Sequence, residues 1–372
     1  MTSTLTISDR SEAWSSSLER IAATPLSCCL RFPEIAERWE RWWRFDADRP
    51  LLIASAGKNP DIRWDKGFDL LDQPRLWLQM RRRQVENTHY VAEALPHVRV
   101  DIGPVSIAAF VGAPLTLSVR EGTIWQDAIL NDWEDTAFLR FDLDNWWYRT
   151  VLKLSKIVAD DAAGDYLVCL PDLTGAIDTL SNLRGPQRLC TDLMDHRTEI
   201  TASAERLVGV WEPIFASLHD AVLARGAGII QWLGAWSNQP YTLPTCDFNF
   251  MISPRDFEEV CMPSLSGQAT RAGRCLFHLD GPGASRHAET LAGDASITAI
   301  QYTPGEARPS AVEKLEMLEM IQAHAKPVLI IAPAGEVERL TKTLDPRGLA
   351  ILVNDVQSPG HADQLERIVA NC

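Results

Sequence analysis

Short runs of consecutive apolar residues, each opening after a turn signal, alternate along this chain with longer segments whose apolar residues recur every three or four positions. Eight runs stand out: PLLIASAG (50–57), VRVDIG (98–103), DYLVCLPD (165–172), GIIQWLG (228–234), CLFHLDG (275–281), ITAIQYTPG (297–305), PVLIIAP (327–333) and LAILVND (349–355). Runs of this kind suit strands buried on both faces, as in a parallel sheet covered by helices. Helical rhythm fills the intervals, most clearly in SPRDFEEVCMPSLSGQATRAG, which opens on the capping residue Ser253, and in SAVEKLEMLEMIQAHA and GEVERLTKTL. Eight strands alternating with helices predict closure into a single (β/α)8 TIM-type barrel over residues 50–372. Ahead of it, residues 1–49 read as a helical N-terminal extension, because RFPEIAERWERWWRF places its apolar residues at helical spacing.

Two stretches break the rhythm. Residues 104–130 read as an insertion holding a hairpin, turned at Arg120-Glu121-Gly122. Residues 235–252 form a long polar and aromatic connection directly after a strand. Loops that follow strands build the catalytic face of a barrel, so this second stretch is the better site candidate.

Composition narrows the function. A net charge of −14 opposes non-specific attraction to nucleic acid. No apolar run approaches the roughly 20 residues of a membrane-spanning helix, and the N-terminus MTSTLTISDRSEAW has neither a basic start nor an apolar stretch; a cytoplasmic protein is expected. The eight cysteines are scattered, with none in a C-x-x-C pair, and read as reduced thiols. The 13 tryptophans concentrate in the first 150 residues and at 232–236, where they suit cores, subunit contacts or flat apolar pockets; a homodimer is expected on that ground. No G-x-G-x-x-G, G-x-x-x-x-G-K-[ST], G-x-S-x-G or H-E-x-x-H motif occurs, which removes dinucleotide, P-loop, serine-hydrolase and zincin chemistry.

The segment CLPDLTGAIDTLSNLRGPQRLCTDLMD (169–195), the stretch VRVDIGPVSIAAFVGA (98–113), and TCDFNFMISPRDFEEVCMPSL (245–265) followed by CLFHLDGPGA and AIQYTPG resemble the uroporphyrinogen decarboxylase and corrinoid-methyltransferase superfamily over about residues 98–355. The resemblance implies a barrel, with either decarboxylation or metal-dependent methyl transfer, and it puts Asp101 where the family carries its pyrrole-facing aspartate. It also implies zinc as a cofactor, and a corrinoid, free or on a corrinoid protein, as a partner. Two departures stand out. The Arg-rich R-Q-A-G-R motif of the porphyrinogen decarboxylases is replaced by RWERWWRF, and the H-x-C zinc motif of the methyltransferases by His278-Leu279-Asp280.

His278 and Asp280 stand at i and i+2 near the end of an expected strand, so their side chains share a face and converge on the barrel mouth. With Cys246, in the loop after the fourth strand, they make three ligands and one open position, the arrangement of a catalytic zinc or another transition metal. Cys246 as a small buried residue, Asp247 as a turn cap and Asp280 as a cap of the Gly-Pro-Gly turn are the structural alternatives. Asp101 and Asp172 end strands and suit acid catalysis or stabilisation of a cationic intermediate, with helix capping as the competing role. Arg184 and Arg286 are candidates for binding a substrate carboxylate, Gln301 and Tyr302 for orienting hydrogen bonds, and Trp232 and Trp236 for an apolar wall able to hold a methylated or quaternary ammonium ligand. Three functions follow: metal-dependent methyl transfer through Cys246, His278 and Asp280; a metal-free decarboxylase or lyase acting through Asp101, Asp172 and Asp280; and a non-catalytic barrel that binds a small ligand or corrinoid.

Overall fold

A computed structural model describes residues 6–59, 69–100, 102–104, 106–118, 123–305 and 310–372. Its strands are β1 (Leu51–Gly57), β2 (Thr88–Ala92), β3 (His97–Arg99), β4 (Leu115–Ser118), β5 (Thr123–Gln126), β6 (Leu167–Cys169), β7 (Ile229–Ile230), β8 (Tyr241–Thr242), β9 (Arg274–Asp280), β10 (Ala299–Thr303), β11 (Val328–Ala332) and β12 (Leu349–Val353). Each of the eight apolar runs overlaps one of them. Seven strands form a sheet in the order β2-β1-β12-β11-β10-β9-β8, parallel throughout except for the antiparallel edge pair β1–β2. A second, parallel sheet runs β3-β6-β7, and β4 pairs antiparallel with β5 as the hairpin of the insertion, whose expected turn residues lie outside the described ones.

Among the described residues no backbone ladder joins the two parallel sheets. They are bridged by side chains: the Tyr241 hydroxyl accepts from the Gln231 backbone N–H at 3.2 Å and donates to the Ala235 carbonyl at 2.8 Å. The fold is therefore mixed α/β around a mostly parallel sheet.

Two helices precede β1. The first, α1 (Ile7–Ala22), begins with a capping box in which Thr6 and Asp9 exchange backbone and side-chain hydrogen bonds. Its Trp14 stacks on His219 and donates to Asp220, both on the long helix Arg197–Leu223. The second, α2 (Phe32–Trp43), drives Trp39, Trp42 and Trp43 into the core, and Trp43 donates to the Trp236 carbonyl at 2.8 Å. Charge pairing fixes its orientation: Glu40 takes a two-pronged contact from Arg274, the first residue of β9, while Arg38 and Arg49 converge on Glu93, whose side chain is wholly buried and also caps the Leu52 N–H. Removing one partner of such a pair strands a buried charge at a cost of about 3–5 kcal/mol.

Candidate metal centre and cavity

The parallel ladder between β9 and β10 sets His278 beside Gln301 and Asp280 beside Thr303. Both pairs stand on the same face, one pleat apart, at the carboxyl ends of their strands. The His278 Nδ1–H donates to the Gln301 side-chain oxygen, and the Gln301 amide in turn donates to Thr303 Oγ1 at 2.9 Å. This chain fixes the ring and its tautomer, leaving Nε2 as the free lone pair. Burial lowers the His278 pKa, outweighing the opposing effects of Gln301, Asp280 and Asp178, so the imidazole is held neutral. A neutral, oriented imidazole with an acceptor behind it is what a metal ligand requires.

Asp247 arrives from the loop after β8. Thr245 makes a parallel bridge to His278, with the His278 N–H donating to the Pro244 carbonyl at 3.0 Å, and a 3-10 helix (Asp247–Met251) starts immediately afterwards. That turn is held by Asp178, on the first turn of the helix Ala176–Arg184. Its carboxylate accepts from Thr245 Oγ1 at 2.5 Å, from the Asp247 N–H at 2.9 Å and from the Phe248 N–H at 3.0 Å. Close approach is possible because position 175 is glycine; a Cβ there would sit 2.1 Å from the Thr245 carbonyl oxygen.

One ligand atom from each of Asp247, His278 and Asp280 lies within 4.8 Å of the others. Ligands on a shared ion at roughly 2.1 Å stand no more than about 4.2 Å apart, which a small carboxylate rotation reaches. Asp280 does not cap the turn that follows it: its side chain makes no cap hydrogen bond, and its Oδ1 is buried without a partner. A buried carboxylate oxygen left in that condition is costly unless something else is bound to it. Desolvation, followed by the charges of Asp178, Asp280 and Asp172, pushes the Asp247 pKa up to about 8. Asp247 also meets solvent at the mouth, where water screens part of both effects.

The group opens into a cavity of about 440 Å³ lined by Asp172, Thr174, Asp178, Asn182, Trp232, Thr245, Asp247, Phe248, Met251 and His278 among others. That volume suits a small ligand. Trp232 stands edge to face with His278, ring centroids 5.0 Å apart, and Asp172 accepts from the Thr174 N–H at 2.9 Å.

Several residues singled out in the sequence lie elsewhere. Cys246 is not part of the group: it is fully buried, turned toward Cys261, and its thiol is pushed far up by that contact and by burial. Neighbouring residues point apart where the chain enters the 3-10 turn, so Asp247 faces the cavity and Cys246 the core. Arg184 is not free to hold a substrate; it is buried in a two-pronged pair with Asp192 and donates to the Leu130 and Asn131 carbonyls. Arg286 is exposed and donates to the Gly283 and Phe250 carbonyls. Trp236 is core, its indole donating to Asn238 and its ring edge-on to Phe32. Gln301 reaches the site only through His278, and Tyr302 is buried, its hydroxyl pushed up to about 12 chiefly by burial. Asp101 lies outside the described residues. Asp178 was not anticipated; its one sequence signal is an acidic residue in a helix first turn just after Gly175, and that position is ordinarily read as a dipole partner.

No family model matches the sequence, and no curated protein matches it either. Among solved structures, a methyltransferase from Methanosarcina mazei superposes with a TM-score of 0.59 at 12% identity, covering 91% of this chain and 98% of that one. At that identity the likeness is one of fold. No described helix is long and apolar enough to cross a membrane.

Proposed function

We propose that this chain is a metal-dependent enzyme that transfers a methyl group on a small substrate, in a (β/α)8-type barrel of the uroporphyrinogen decarboxylase and corrinoid-methyltransferase superfamily. The carrying observation is the convergence of Asp247, His278 and Asp280 at the carboxyl end of β9, with Gln301 fixing the imidazole and the Asp280 Oδ1 buried without a partner. Fold likeness to a methyltransferase supports the reaction class.

One imidazole and two carboxylates fit zinc, and equally manganese, cobalt or ferrous iron, and leave at least one position open. Such an ion, when bound, supplies Lewis acidity that keeps a thiol substrate as its nucleophilic thiolate at neutral pH. Asp247, His278 and Asp280 hold it, Gln301 keeps Nε2 turned toward it, and Asp178 holds the turn that delivers Asp247. Trp232, Phe248 and Met251 exclude water on the substrate side. The methyl donor in this reading is a corrinoid, free or protein-bound. Metal-loaded protein is expected to transfer the methyl group of methylcobalamin to a small thiol, read by the visible spectrum as the cobalt–carbon bond breaks, and to lose that activity with a chelator. Transfer at an undiminished rate in metal-free protein counts against the proposal.

A second reading rests on Asp247. A carboxyl that holds its proton to about pH 8 is matched to proton delivery in a metal-free lyase. Metal content separates the two.

A further inference from the structure

We propose that His287 is a positioning residue for the metal group: it clasps the chain leaving Asp280 to the turn that begins at Asp247, and so sets the separation of the two carboxylates. This role presupposes the metal reading of Asp247, His278 and Asp280.

His278 and Asp280 share β9 and are aligned by the strand itself, whereas Asp247 belongs to the 3-10 turn Asp247–Met251, which arrives from a different part of the chain. The distance from Asp247 to Asp280 therefore depends on what fastens that turn. Asp178 fastens its first two amides to the helix Ala176–Arg184. A second fastening comes from the segment directly after Asp280, a helical turn (Gly281–Ala284) followed by a 3-10 turn (Ser285–His287). His287 donates from Nε2 to the Asn249 carbonyl at 2.9 Å, and Arg286 donates to the Phe250 carbonyl at 3.3 Å. The Phe250 ring lies so close over Gly283 that a Cβ there would stand 2.2 Å from its Cδ2. The two carboxylate-bearing segments are thus bonded to each other within a few residues of each ligand.

A carbonyl can only accept, so the Asn249 contact fixes the proton of His287 on Nε2. The residue has no exposed surface, and its ring packs on Phe257 with centroids 4.4 Å apart. Its Nδ1 is buried without a hydrogen-bond partner. An apolar side chain of that size would fill the space beside Phe257 without stranding a ring nitrogen, so packing alone does not call for histidine here; the Nε2–H contact to the turn does. The ligand atoms of the group stand within 4.8 Å of one another and close to about 4.2 Å on a shared ion. With the turn held at both its start and its middle, that closure needs only a carboxylate rotation. A turn released at Asn249 has to be ordered each time an ion binds, at a cost in affinity.

Cobalt(II) alone is the probe, added to metal-stripped full-length protein, with affinity read by chelator competition and coordination geometry by the visible absorption bands. His287→Leu keeps the apolar packing and removes the donor; it is expected to weaken cobalt about 10–100-fold and to alter the bands. His287→Gln places an amide N–H where Nε2–H stands, and is expected to restore both to within about twofold of wild type. Should the leucine variant fold poorly, His287→Met, unbranched and equally without a donor, takes its place. A role in fold stability alone would lower the urea midpoint and leave the cobalt bands and affinity unchanged, and that result overturns the proposal, as does a glutamine variant no better than the leucine one. Wild type that takes up no cobalt contradicts the metal reading itself, whereas equal uptake by wild type and His287→Leu removes the role of His287 alone.

Discussion

Replacing Asp178 by asparagine tests how the turn that delivers Asp247 is held. Three donors converge on that carboxylate: Thr245 Oγ1 and the Asp247 N–H on one oxygen, the Phe248 N–H on the other. An asparagine has the same shape but only one acceptor oxygen. Its better orientation keeps the Thr245 and Asp247 contacts and turns an NH₂ group against the Phe248 N–H. One hydrogen bond to a charged acceptor is lost, worth about 1.5–3 kcal/mol, and a buried N–H is left opposed to another donor. Relief of the burial cost that raises the Asp178 pKa returns part of this, so the net destabilisation expected is about 3 kcal/mol. At about 2.1 cal/mol/K per residue over 372 residues, the unfolding entropy is about 0.8 kcal/mol/K, and Tm falls by only about 4 °C. Metal affinity is the more sensitive readout, because loosened support behind a ligand costs about 10–100-fold. It is best measured at about pH 9 by competition with a chelator. There Asp247, whose pKa is about 8, is ionised in both proteins, so its altered titration does not mask the loss. Asp178→Asn protein that binds metal within twofold of wild type, with unchanged Tm, would refute the role given to this network.

Gln301→Leu removes the acceptor behind His278 and is expected to lower metal affinity about 10–100-fold with the fold intact by circular dichroism; an unchanged titration contradicts the orienting role. Gly175→Ala forces a Cβ to 2.1 Å from the Thr245 carbonyl oxygen and 3.3 Å from Leu265 Cδ2, and is expected to cost about 1–3 kcal/mol in denaturant unfolding and to disturb metal binding as well. His219 is buried between Trp14 and Phe215, where burial lowers its pKa to about 4. Its unfolded form takes up a proton first as pH drops, so stability present above about 6.5 is lost progressively toward pH 4, on the order of 3 kcal/mol. Acid unfolding of His219→Gln is expected to lack that component, and an identical pH profile would show that His219 does not supply it.

The strand runs were legible because residues such as Leu51–Ala54 and Val328–Ile331 are apolar on both faces, as a helix-covered parallel sheet demands. β2 was not seen, since THYVA carries little contrast and takes its place by pairing antiparallel with β1. Two-residue β8 is too short for any periodicity. Ring closure was inferred from the strand count, a long-range property that no local pattern encodes. At the site, His278 and Asp280 were legible because a two-residue spacing fixes a shared face. Cys246 was expected as the third member of that group, whereas its neighbour Asp247 joins His278 and Asp280, because a one-residue choice at the start of a 3-10 turn depends on Asp178, some 70 residues away in sequence. Arg184 misled for the same reason: its charge was visible, whereas its pairing across the Gly185-Pro186 break with Asp192 is a product of packing.

Metal content of untagged protein, by inductively coupled plasma mass spectrometry, tests the central claim most directly. Near-stoichiometric zinc or another divalent transition metal is expected in wild type and in Cys246→Ala, falling to background in His278→Ala, Asp280→Asn and Asp247→Asn. Wild-type protein that stays metal-free after loading, or metal retained in all three ligand variants, would contradict the assignment of Asp247, His278 and Asp280 as a metal centre.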